Sequence, residues 1–91
     1  DPSLRRSVAL RNTYIAVEHV ALAATSLGLG SCWMEGFDPS RVSKILRLPD
    51  EVVPAVLMPI GWTDQQAPPK DRFPAGKVSF AEEYGRPFDG C

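Results

Sequence analysis

From residue 13 to residue 27 the apolar positions recur at helical spacing. Ile15, His19, Leu22 and Ser26 fall on one stripe, and Ala16, Val20, Ala23, Ala24 and Leu27 on another. The pattern predicts a helix over 13–27, with Asn12 or Thr13 as its cap and Gly28 just past its end. A helix apolar on more than one face is expected to be covered from two sides. Residues 1–11 read as a helical turn or a loose lead-in, because Asp1-Pro2-Ser3 has the form of a helix start but the run behind it is short.

A short strand is expected over 31–34. Asp38-Pro39 then opens a second helix that runs to Leu46, since the carboxylate takes orphan amides and proline suits the first helical position. Val42, Ile45 and Leu46 share its apolar face, Arg41, Lys44 and Arg47 face water, and Pro49 ends it. Residues 52–60 are β-branched and apolar on both alternating faces, which predicts a strand covered by helices on both sides, with Pro54 and Pro59 near its ends. Gly61-Trp62-Thr63-Asp64 closes that strand. A proline-rich irregular loop over 65–74 and one more strand over 78–84 complete the reading.

Two segments carry candidate chemistry. Between Gly28 and Pro39 a helix stop, a strand, a turn and a helix start follow one another, and Glu35-Gly36 sits in the turn. An acidic residue beside a glycine there leaves backbone amides free to meet a bound group, and glycine lets that group come close. Downstream, Lys70 and Arg72 stand two residues apart among prolines. Residues i and i+2 of an extended segment project to the same side, so the two cations suit a phosphate.

In this order, the segments resemble the C-terminal half of the FMN-dependent nitroreductase and flavin reductase family. The resemblance begins with Tyr14-Ile15-Ala16-Val17-Glu18-His19-Val20-Ala21-Leu22-Ala23-Ala24 and runs through Gly28 to Asp38. It continues with Leu48-Pro49 and Pro59-Ile60-Gly61-Trp62 and closes on Lys70 and Arg72. It implies an α+β fold of three α/β/α layers, of which residues 1–91 would form the C-terminal half, with a central buried helix and short antiparallel strands. It implies FMN as cofactor, with the turn at Glu35 and Gly36 against the flavin ring and Lys70 and Arg72 on the phosphate. Hydride would pass from NAD(P)H by way of FMN to a small oxidised substrate, such as a nitroaromatic, a quinone or a free flavin. It also implies a homodimer built on the 13–27 helix, whose small residues Ala21, Ala23 and Ala24 permit close approach, and a C-terminal extension that reaches the partner subunit. The family's further phosphate-gripping segment, of Arg-x-Ser-x-Arg type, has no match here; Arg5-Arg6-Ser7 lies directly before the long helix and is not assigned that role.

Composition narrows the alternatives. An apolar share of 44% and a charged share of 23% are those of an ordinary globular domain, and 91 residues fit one domain at most. Ten basic and eleven acidic residues give a net charge of −1, and the cluster Arg5, Arg6 and Arg11 is too short for a nucleic-acid footprint. No apolar run is long enough to cross a bilayer, so neither nucleic acid nor membrane is an expected partner and a cytoplasmic setting is the expectation. Cys32 and Cys91 read as free thiols, Cys32 as a small buried residue in a strand, and one histidine with two distant cysteines offers no metal-ligand spacing. Two further functional readings share the fold. One is a truncated, non-catalytic dimerisation fragment, and the other is half of a split enzyme completed by a separate N-terminal polypeptide.

Overall fold

Helix α1 spans Pro2–Ser26 without a break in this computed structural model, which describes residues 1–88. Asp1 starts it. Its carboxylate accepts the Ser3 amide at 3.1 Å and the Ser3 hydroxyl at 3.2 Å, with Pro2 in the first turn. The cap expected at Asn12 or Thr13 is therefore corrected. Thr13 lies inside the helix, where its hydroxyl donates to the Ala9 carbonyl at 2.8 Å instead of capping a new start. The stop is where the sequence puts it. The Leu29 amide donates to the Ala24 carbonyl at 2.9 Å and the Gly28 amide to Thr25 at 3.0 Å, while Gly28 takes a φ of 79°, which glycine adopts without strain.

Strand β1, Gly30–Ser31, pairs antiparallel with β2, Ile60–Gly61, in the register Gly30 to Gly61 and Ser31 to Ile60. A bridge of Met34 to Leu57 extends the ladder in the same register, with both amides donating across it at 2.9 Å. The ladder is interrupted between these pairs. Cys32 donates to the Pro59 carbonyl at 3.2 Å, but proline has no N–H to return. The strand expected over 52–60 is thus shorter than the β-branched run suggested. Residues 52–56 carry no ladder, and the Val52 amide instead turns back to the Pro49 carbonyl at 3.0 Å. At the far end Gly30 is tightly placed: a Cβ there would lie 2.7 Å from Thr63 Cγ2.

Helix α2, Pro39–Leu46, forms as expected, with the Asp38 carboxylate accepting the Ser40 amide at 3.0 Å. It ends before the proline signal is reached. Arg47 adopts the left-handed conformation at φ 56° and Leu48 donates to the Ser43 carbonyl at 2.9 Å, a glycine-type stop made by arginine. The tail also departs from the expected strand over 78–84. A short helix α3, Ala75–Val78, is followed by a small loop closed by the bridge of Phe80 to Pro87, by Phe80 packed edge-on against Tyr84, and by an Arg86–Glu82 ion pair at 2.9 Å. Glu82 and Gly85, at φ 66° and 88°, make its reversal.

These elements do not close a core of their own. The radius of gyration is 18.1 Å, where a compact chain of this size has about 12 Å. The accessible surface of 8256 Å² compares with about 5,200 Å² for a compact 10.0 kDa protein. Among the described residues Ala24 alone is buried, and the rest of both apolar stripes is open, with Ile15 and Leu22 on α1 and Leu27 just past its end more than half exposed. The two covering surfaces that the helix pattern calls for are not supplied by the described residues. Apolar area of this extent is stable only when something packs on it.

Candidate functional site

Glu35 and Gly36 follow the Met34–Leu57 bridge, so the ladder fixes where their turn begins. The Phe37 amide donates to the Glu35 carbonyl at 2.9 Å, closing a three-residue turn centred on Gly36. Nothing inside the chain requires glycine at its centre. Gly36 is outside the left-handed region, and a Cβ on it would meet no atom within 4 Å. Among the described residues the backbone amides of Glu35 and Gly36 donate to no acceptor.

The Glu35 side chain is engaged differently from its backbone. The Trp33 indole Nε1 donates to Glu35 Oε2 at 2.9 Å. The Glu35 carboxyl is held below its ordinary range first by the Tyr14 phenol of α1 as a hydrogen-bond donor and second by Trp33. The reciprocal effect raises the Tyr14 phenol. Tyr14 and Trp33 also contact one another, ring centroids 5.9 Å apart at 53°, and both are half-buried beneath an exposed Glu35. Sequence reasoning singled out neither aromatic residue. Trp33 had a readable signal, since it lies two residues before Glu35 in an extended segment and so projects to the same side.

Lys70 and Arg72 lie in an exposed stretch without helix or strand, and neither forms an ion pair among the described residues. The chain reaches them from the Gly61 end of the ladder, opposite the Met34 end from which the Glu35 turn departs. On its way, 65–68 borders an open cleft of about 810 Å³ whose other wall is Gly30, Ser31, Cys32 and the 59–63 segment. Cys32 is exposed there, not buried as the strand pattern suggested, because no element of the described residues covers this face of the two-stranded sheet. Cys91 lies outside the described residues. His19 is exposed on α1, away from any cluster of three metal-ligand residues, none of which occurs among the described residues. No helix of the described residues is long and apolar enough to cross a membrane.

A family model described as the nitroreductase family matches residues 1–62. The chain belongs to the nitroreductase family. Glu35 and Gly36 fall inside the matched residues, and Lys70 and Arg72 beyond them. Among curated relatives, Protein DrgA of Synechocystis sp. is 34% identical over 85% of this chain and 40% of its own length. An NADH dehydrogenase of Thermus thermophilus is 35% identical over 81% of this chain and 36% of its own. An FMN reductase (NADPH) of Bacillus subtilis is 29% identical over 85% and 32%. The chain thus spans two-fifths or less of the length of these relatives. A nitroreductase family protein from Streptococcus pneumoniae, solved by crystallography, superposes with a TM-score of 0.71 at 30% identity, over 79% of this chain and 36% of that one. The α+β nitroreductase fold implied by the sequence is therefore the fold of this chain, in part.

Proposed function

We propose that residues 1–91 are the C-terminal half of a nitroreductase domain and that they contribute to the FMN site of an NAD(P)H-dependent oxidoreductase. The observation that carries this reading is the Gly36 turn. It presents unpaired amides and an open Cβ direction at a glycine that the chain's own packing does not require, which is how a backbone admits a flat ligand at close range. The names of relatives, an FMN reductase among them, agree with a flavin. Lys70 and Arg72 suit the other end of such a ligand, since both are exposed and uncommitted to internal ion pairs, and each can donate charge-assisted hydrogen bonds to a phosphate.

When bound, FMN supplies the hydride chemistry, accepting from NAD(P)H and delivering to an oxidised acceptor, for which nitroaromatics, quinones and free flavins are the proposed classes. This chain's part is to hold and to polarise. The amides of Glu35 and Gly36 offer donors to the ring, and the two cations neutralise the phosphate. No side chain here is assigned as a general acid or base. The open stripes of α1 support a homodimer in which the exposed Ala23, with the half-buried Ala21 beside it, lets a second helix approach closely, whereas Ala24 is buried within the chain and faces no partner; a cytoplasmic setting is proposed with it.

A second reading is favoured by the open shape of the described residues. On that reading they are a dimerisation piece without catalysis, or half of a two-chain enzyme. One experiment separates them: the purified chain is incubated with FMN, desalted, and its visible absorbance is scaled to protein. About one flavin per chain supports the site, provided that Lys70→Ala/Arg72→Ala lowers retention. Each charged hydrogen bond contributes about 1.5–3 kcal/mol, so affinity should fall at least on the order of ten-fold. A colourless wild-type chain supports the second reading.

A further inference from the structure

We propose that Tyr14 and Trp33 are positioning residues, which hold the Glu35 carboxylate from two elements and thereby fix the Gly36 turn. The role of Glu35 changes accordingly: its side chain is a brace, and only its backbone faces a ligand. The catalytic consequence rests on the flavin reading, but the brace itself does not.

Three relationships carry the inference. The indole N–H reaches Glu35 Oε2 at 2.9 Å along the segment that leads into the turn. Tyr14 stands on α1 with its ring against that indole, so the long helix backs a loop twenty-one residues further along the chain. The two aromatic rings pack on each other, which fixes both donors relative to one another. Otherwise the turn is closed by a single three-residue hydrogen bond, a weak constraint. No cation pairs with Glu35 among the described residues, so the groups facing the carboxylate are these two neutral donors, from α1 and from the segment after β1. Hydrogen bonds to an ionised acceptor are stronger than neutral ones, so the brace depends on an ionised Glu35.

The sign of its pH dependence follows. Glu35 is shifted downward in the folded chain, so the brace contributes fully above the ordinary carboxylate range and is lost as pH falls through the lower folded value. Tyr14 is shifted upward, so its contribution is complete below the ordinary phenol value and is lost as pH rises through the higher folded one.

The test is a pH titration of the ligand-free chain by proton–nitrogen NMR, following the Trp33 indole N–H and the Gly36 backbone amide. Both signals should move with one shared midpoint below the ordinary carboxylate range. Glu35→Gln should abolish that step in both, and Tyr14→Phe, which keeps the ring, should move the midpoint upward. If Tyr14→Phe fails to fold, Trp33→Phe with the Gly36 amide as the probe serves instead and should also raise the midpoint. An indole that does not titrate, a Gly36 amide that stays still while the indole moves, or a midpoint unchanged in the folded variant would each overturn the brace. FMN retention is then measured separately. Loss of retention by several-fold in Tyr14→Phe supports the catalytic consequence, whereas a wild-type chain that binds no FMN overturns the flavin reading and leaves the brace to stand or fall on the NMR titration.

Discussion

Cys32 and Pro59 face each other across the ladder and share one hydrogen bond instead of two: the Cys32 amide donates to the Pro59 carbonyl at 3.2 Å, and the Cys32 carbonyl receives nothing back. This one-sided pair divides the ladder into the Gly30–Gly61 end and the Met34–Leu57 bridge.

Replacing the proline should join the two parts. In Pro59→Val the new amide adds a bond of about 0.5–1.5 kcal/mol, while the lost proline rigidity gives back about 0.4–1 kcal/mol. Net stability should therefore move by less than about 1 kcal/mol. Hydrogen exchange is the deciding measurement, and rapid exchange at residue 59 would mean that the ladder has not closed.

Gly36→Ala should separate folding from ligand binding. The added methyl group meets no atom within 4 Å and the backbone is not left-handed, so the unfolding midpoint should hold or rise slightly. FMN retention should fall sharply, because the methyl group occupies the approach to the turn. A variant that folds and keeps wild-type flavin affinity would remove Gly36 from the site.

Ala23→Leu tests the assembly proposed for α1. Ala23 is exposed within the chain, so leucine there should leave the chain's own contacts intact. Overpacking a close helix contact costs about 1–3 kcal/mol, enough to weaken association about five-fold to more than a hundred-fold. Sedimentation equilibrium would detect the change, and an unaltered dimer would place the interface elsewhere.

Arg47→Gly should stabilise the end of α2. Arginine holds a left-handed conformation there that costs about 1–2 kcal/mol, against about 0.5–1 kcal/mol for the added freedom of glycine in the unfolded chain. A net gain of about 0.5–1 kcal/mol in denaturant unfolding is expected, and a loss would show that the Arg47 side chain makes a compensating contact.

Local signals in the sequence were sound where the chain satisfies its own backbone. Asp38-Pro39 opens α2 and Gly28 ends α1 because each supplies a partner or a conformation at the point of need. The start of α1 was misplaced because Thr13 can cap or bond backward, and only the fold shows that it bonds to Ala9. The β-branched run over 52–60 concealed how much of it proline keeps out of the ladder. The tail, read as a strand, turned on Glu82 in a left-handed conformation that its residue type does not announce. In the candidate site, Glu35 and Gly36 were legible as a turn, but the engagement of the Glu35 carboxylate was not. Tyr14 reaches it from another element, and no local pattern encodes that meeting.

The contact between Gly30 and Thr63 bears on how this chain can diverge. Thr63 cannot simply rotate aside, because its hydroxyl accepts the Gln65 amide at 3.0 Å and holds the turn that leads into the loop. Serine at position 63 would keep the hydroxyl and shed the methyl group that a side chain at position 30 would meet. The two positions are therefore coupled: a side chain at position 30 should cost less stability in a Thr63→Ser background than against Thr63.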